Sequence, residues 1–224
     1  KTEIQYLGFT IGGGKIKPQV DKINAISSCP LPQTRKQLRS FLGMAAFYHR
    51  FIPNFSARAA LLTDRTGSRC PNKIQWTAEA IGAFQDIRQS LSKNPVLHSP
   101  DFNKDFTLQT GASERGLGAV LLQGPPEDRH PVAYISRKLL PRETRYATVE
   151  KEALAIKWAL DSFKYYVLGR EFILQTDHKA LQWLERMKDT NGRITRWYLA
   201  MQPYRFEVQF IPGKENITAD YLSR

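Results

Sequence analysis

The sequence predicts a mixed α/β layer fold over its second half, preceded by a smaller, mainly helical and basic region that opens with a β-hairpin. Three observations lead there. From residue 106 onward, three strand-like runs follow one another and then alternate with helical segments. Before about residue 100, apolar residues recur at helical spacing between Pro and Gly breaks. Charge is also unevenly placed: residues 1–100 hold 14 Lys/Arg against 5 Asp/Glu, and residues 101–224 hold 19 against 16. The change falls in the Pro95–Pro100 stretch, so domains of 1–97 and 98–224 are expected.

The elements follow in order. Ile4–Ile11 is strand-like, and Gly12-Gly13-Gly14 allows a reversal into Lys15-Ile16-Lys17. Pro18 opens a short helix through Val20, Ile23 and Ile26, stopped by Pro30 and Pro32. Thr34 with Gln37 forms a capping box ahead of Leu38, Phe41, Leu42, Ala45 and Tyr48. Pro53-Asn54 starts a helical piece through Leu61, and Thr77 caps another bearing Ile81, Phe84, Ile87 and Leu91. In the second half, Phe106–Thr110, Leu117–Leu122 and Val132–Ser136 are strands. A long helix carries the stripe Tyr146, Val149, Ala153, Ile156, Leu160, Phe163 and Val167, ended by Gly169. Phe172–Thr176 and Phe206–Ile211 complete five strands, with helices over Lys179–Met187 and Ile194–Met201 and a last short one bearing Asp220, capped by Asn216 or Thr218.

The net charge is +12, the signature of a polyanion-binding surface when it is clustered as here. No apolar run reaches the length of a membrane span, so no membrane partner is expected. The opening residues carry no cleavable signal pattern and read as the interior of a longer polypeptide. Cys29 and Cys70 form neither a disulfide framework nor a zinc pattern, which points to an intracellular, reducing compartment, nucleus and cytoplasm being equally open.

Three acids stand where they converge. Glu152 lies beside the buried stripe of the long helix, Asp177 directly follows a strand, and Asp220 begins the last helix. Carboxylates brought together from separate elements repel unless a cation neutralises them. An all-oxygen set favours Mg²⁺ or Mn²⁺, and two such ions about 4 Å apart serve in-line hydrolysis of a phosphodiester. A fourth carboxylate is expected where Gly111 stands in Thr110-Gly111-Ala112-Ser113. Gln109 and Ser113 share the strand face of Gly111, but both are weak ligands for a hard cation, and Glu114 lies in a turn beyond the strand.

These motifs carry a resemblance. Leu108–Val120, His130–Leu139, Glu150–Ala159, Thr176–Leu181, Arg196-Trp197, Ile211–Asn216 and Ala219–Arg224 are similar to the ribonuclease H (RNase H) domain of Ty3/gypsy retrotransposons and retroviruses. Tyr6-Leu7-Gly8-Phe9 resembles the primer-grip hairpin of the matching reverse transcriptases. Arg35–Phe55 resembles their thumb, and Trp76, Ala83-Phe84 and Pro95–Leu97 the segment leading into the nuclease. The resemblance implies an RNase H-like fold, with a five-stranded mixed sheet and flanking helices. It also implies an Asp-Glu-Asp-Asp metal site, of which Glu152, Asp177 and Asp220 remain and the first Asp is Gly111.

A module that has kept the fold and lost catalysis is therefore expected, with Mg²⁺ or Mn²⁺ not held tightly. Such a module would be an element decayed at one site or a domesticated host copy of the NYNRIN type. It would bind an RNA/DNA hybrid or other nucleic acid through Arg35, Lys36, Arg39 and Arg50, or serve as a protein-interaction scaffold, within a larger polypeptide. Two other readings stay open: a Mg²⁺-dependent hybrid endonuclease in which Gly111 is an inactivating substitution, and a structural remnant with no ligand.

Overall fold

A computed structural model describes residues 3–52, 54–93, 97–179 and 192–223. The chain divides into two compact units, Lys1–Ser99 and Pro100–Arg224. The helix expected over Lys179–Met187 lies almost wholly outside the described residues.

In the first unit, β1 (Glu3–Tyr6), β2 (Phe9–Gly12), β3 (Lys15–Pro18) and β4 (Leu97–His98) form an antiparallel sheet in that order. The sequence suggests one strand over Ile4–Ile11; the structure folds it into two, with Tyr6 opposite Phe9. Leu7 and Gly8 both adopt positive φ (45° and 84°), which makes a two-residue turn whose twist suits a hairpin. The expected hairpin around Gly12–Gly14 is thus β2–β3, the inner pair of the sheet. Pro18 ends β3 rather than opening a helix; Gln19 precedes α1 (Val20–Ser27). Helix α2 (Arg35–Phe47) begins at the Thr34–Gln37 capping box: Gln37 N–H donates to Thr34 Oγ1, and Thr34 N–H to Gln37 Oε1. Helices α3 (Phe55–Thr63) and α4 (Ala78–Ser92) follow, the latter capped by Thr77. Phe41 and Phe84 pack at 4.5 Å between ring centroids in this unit's core.

The second unit is built on β5 (Phe106–Ala112), β6 (Gly116–Gln123), β7 (His130–Lys138), β8 (Glu171–Thr176) and β9 (Arg205–Phe210), in sheet order β7-β6-β5-β8-β9. β5, β6 and β7 pair antiparallel, while β8 is parallel to both β5 and β9. The long apolar stripe is shared by α5 (Thr148–Ser162) and α6 (Lys164–Val167), because Phe163 leaves helical geometry at φ −99°, ψ 13°. Helix α7 (Gly192–Met201) joins them on one sheet face, over Phe106, Leu108, Ala119, Leu121 and Leu174. Helix α8 (Ile217–Ser223) covers the other face, where Leu222 packs on Val120 and Leu122.

Alternation along the strands explains why α8 sits so low. Gly111 and Gly118 are direct partners across β5 and β6, and Gly116 lies two residues from Gly118 on the same face. A Cβ added to Gly118 would lie 2.6 Å from the Leu222 carbonyl carbon and 2.7 Å from Ala219 O; one on Gly116 would lie 2.8 Å from Ser223 O. The helix backbone rests on a floor without side chains. Gly118→Ala is therefore expected to lift α8 and cost about 2–3 kcal/mol, the scale of an overpacked core. Denaturant unfolding of the variant beside the native chain measures it, and an unchanged midpoint would refute the close docking.

Candidate functional site

The second unit gathers the three acids at one end of its central strands. Glu152 projects from the buried face of α5 and is 6% exposed. Its Oε1 accepts the Ala112 N–H at 3.2 Å, which fixes it beside the end of β5, and its Oε2 is buried with no hydrogen-bond partner. Asp177 follows β8 and is half-buried, with the loop at Gly213 against its Oδ2. Asp220 lies in α8, its amide held by the carbonyl of Asn216 at 3.0 Å. Burial first, and then the negative charges of Asp177 and Asp220, raise the pKa of Glu152 from 4.5 to about 8. The three acids are thus close enough to act on one another. Even so, among the described residues no group of three or more Asp, Glu, His or Cys side chains is placed to share an ion.

At the fourth position stands Gly111. A Cβ there would meet the backbone of α8: Ala219 C and O at 3.1 Å and Asp220 N at 3.2 Å. Its polar neighbours are committed elsewhere. Gln109 donates to Gln175 Oε1 at 3.0 Å on the adjacent strand. Ser113 Oγ donates to Ser223 O at 2.5 Å and accepts the N–H groups of Arg115 and Gly116. Glu114, 82% exposed, pairs at 2.7 Å with the buried ammonium of Lys151.

Sequence reasoning missed two contributors. One is the glycine floor, visible in retrospect as Gly116-x-Gly118 at strand period. The other is Asn216, whose side chain donates to Thr110 O at 3.0 Å instead of capping α8. Close to the site, Arg193 pairs with the buried Glu150 at 2.6 Å and stacks over the Tyr146 ring at 4.0 Å, fastening α7 to the first turn of α5.

In the first unit, the four basic residues expected to bind nucleic acid divide by role. Arg35 Nη1 donates to Gly67 O and Ser68 O (2.9 and 3.1 Å), and Arg39 Nη2 donates to Thr66 O (2.5 Å). Both brace the loop after α3. Lys36 and Arg50 are exposed. Among the described residues, no helix is long and apolar enough to cross a membrane.

A mixed five-stranded sheet with acids converging on the end of its central strands defines an RNase H-like domain, and residues 101–204 match the RNase H-like domain found in reverse transcriptase. More particularly, the chain is similar over its whole length to the Pol polyproteins of gypsy-type retroelements. It is 40% identical over its whole length to the retrovirus-related Pol polyprotein from transposon 297 of Drosophila melanogaster, and 38% identical to that from transposon gypsy of the same organism. It spans only about a fifth of those polyproteins, 21% and 22%. In fold it is similar to the foamy viral protease-reverse transcriptase. The structure of that protein with an RNA/DNA hybrid aligns with a TM-score of 0.77 at 23% identity, covering 94% of this chain and 29% of that one. A structure of the same protein with double-stranded DNA aligns at 0.77 and 22%, covering 94% and 45%.

Proposed function

We propose that this chain is a retroelement RNase H-like module that binds nucleic acid, with an RNA/DNA hybrid as its preferred ligand, and does not cleave it. The observation that carries the loss of cleavage is Gly111. That position, over the backbone of α8 at Ala219 and Asp220, has no side chain, and Gln109, Ser113 and Glu114 are each engaged with other partners. Hydrolysis of a phosphodiester by two cations needs a ligand that both share. Glu152, Asp177 and Asp220 have the hard-oxygen chemistry that suits Mg²⁺ or Mn²⁺, and the buried Glu152 Oε2 has no hydrogen-bond partner that would compete for it. With no carboxylate at position 111, and no group of three or more acids among the described residues placed to share an ion, no cleavage step is derived for the site.

Residues 1–97 are in this reading the primer-grip hairpin and thumb-like part of the polymerase, and 98–224 the RNase H-like domain. Support for hybrid binding comes from the basic first unit and from the RNA/DNA hybrid bound by the foamy viral neighbour. Lys36 and Arg50 are the principal phosphate contacts; Arg35 and Arg39 add charge while holding their loop. Purified chain is expected to leave a labelled hybrid intact in Mg²⁺ or Mn²⁺ and to bind it with strong salt dependence. Replacing Lys36 and Arg50 together with alanine is expected to weaken binding about tenfold at low salt and to reduce the log–log salt slope by about 2. Arg35→Ala would instead lower thermal stability by releasing the 66–68 loop. Cleavage by the native chain would overturn the loss of catalysis, and absence of binding at low salt would overturn the nucleic-acid role.

A further inference from the structure

We propose that Asn216 is a positioning residue that ties Asp220 to the strand end beside Gly111 and so keeps the acid site in register. The inference rests on the reading of Glu152, Asp177 and Asp220 as the remains of a metal site.

The place where Asn216 acts is a fork in the sheet. β5 pairs with β8 only as far as Gln109 opposite Gln175, yet it continues beside β6 to Ala112 opposite Leu117. Thr110 is the first residue past the fork, and its carbonyl accepts the side-chain N–H of Asn216 at 3.0 Å, in a fully buried setting. An amide side chain replaces the strand that is missing there.

The main chain of the same residue serves the other two arms of the site. Its carbonyl accepts the Asp220 N–H at 3.0 Å, in the first turn of α8. Its own N–H donates to Pro212 O and Gly213 O, closing the loop that lies against Asp177 Oδ2. One residue thus joins the strand next to the vacant position, the helix that carries Asp220 and the loop beside Asp177.

The local chemistry favours this role over simple helix capping. An asparagine ahead of a helix ordinarily turns its oxygen onto the helix N–H groups. Here the amide points away to the strand, and Asn216 Oδ1 is left buried with no partner, an arrangement that serves the crossing bond and not the cap. The rest of α8 is secured independently, by Ser113 on Ser223 O and by the glycine floor under Ala219 and Leu222. Asn216 governs the end of the helix that bears the acid.

The test uses the full chain with Gly111→Asp, alone and combined with Asn216→Leu, which keeps the size of the side chain and removes its donor. Val167→Ala, a buried change in α6, serves as the stability control. Mn²⁺ alone is the first probe. Asn216→Leu is expected to weaken Mn²⁺ binding on the order of tenfold or more, as loss of a group supporting metal ligands does, and to lower kcat on a hybrid with KM little changed. The control should lower the thermal midpoint without moving Mn²⁺ affinity. If Asn216→Leu behaves like the control, Asn216 is only a packing residue and the proposal fails. If Gly111→Asp itself binds no Mn²⁺, it is the metal-site reading that fails, and hydrogen exchange in the native background decides about Asn216. Exchange of the Asp220 amide faster by about tenfold in Asn216→Leu than in Val167→Ala supports the tie, since that amide is released with local opening of the helix end; equal exchange overturns it.

Discussion

Gly111→Asp is expected to convert the chain into a Mg²⁺- or Mn²⁺-dependent endonuclease on RNA/DNA hybrids, raising cleavage by about three orders of magnitude or more, the scale on which members of a catalytic unit act. The neighbours for the restored carboxylate are in place. Glu152 is held by the Ala112 N–H one residue away, and Asp177 and Asp220 lie near enough to raise its pKa. Fitting the side chain has a steric cost. Its Cβ would stand 3.1 Å from Ala219 C and O, so α8 must give by a few tenths of an ångström, against the grip of Asn216 and Ser113. A fourth negative charge adds repulsion when no cation is bound. Without divalent ions the variant should therefore melt several degrees below the native chain, by about 1–2 kcal/mol. Mg²⁺ should raise its midpoint by mass action while hardly moving the native one. Parallel melts with and without Mg²⁺, beside a hybrid cleavage assay, read both effects. A variant that neither cleaves nor gains stability from the ion would show that the damage extends past residue 111.

The gap at Gly111 was legible because its surroundings are local patterns. The strand run Phe106–Thr110, the helical stripe that sets Glu152 inward and the strand end before Asp177 are each written within a dozen residues, and the structure places them on β5, α5 and β8. The caps at Thr34 and Thr77 were readable for the same reason. What sequence reasoning missed depends on distance along the chain. The bond from Asn216 to Thr110 crosses 106 residues, and those from Arg35 to Gly67 and Ser68 cross 32 and 33. Neither leaves a periodic trace, and an exposed-looking arginine in a sequence gives no sign that its guanidinium is spent on carbonyls. The turn at Leu7-Gly8 was hidden for a different reason. Residues on both sides of it are β-forming, so the reversal rests on two backbone angles and not on a break in composition. The strand glycines illustrate the same limit: a glycine in a strand signals close approach, but that the approaching group is the backbone of α8 comes only from the fold.

Glu152→Gln is expected to stabilise the second unit at alkaline pH and to have little effect in acid. The sign follows from the raised pKa. Unfolded, Glu152 titrates near 4.5; folded, burial and the charges of Asp177 and Asp220 move it to about 8. Below the lower value both states hold the proton and the group contributes nothing to pH dependence. Between the two, the folded state binds more protons than the unfolded one, so stability falls as pH rises. Above the upper value the full penalty of a buried, partly unpaired carboxylate is in force. The shift corresponds to about 5 kcal/mol at most, and relaxation of the half-buried neighbourhood should reduce it to about 2 kcal/mol. Glutamine keeps the acceptor for the Ala112 N–H and carries no charge, so its stability should be flat across the same window. Denaturant unfolding at pH 5.5 and 8.5, followed by amide exchange in β5, compares the two chains. The native chain should lose about 2 kcal/mol more than the variant over that interval. Parallel pH profiles would mean that Glu152 is already ionised at neutral pH, and that burial and the charges of Asp177 and Asp220 do not hold its proton.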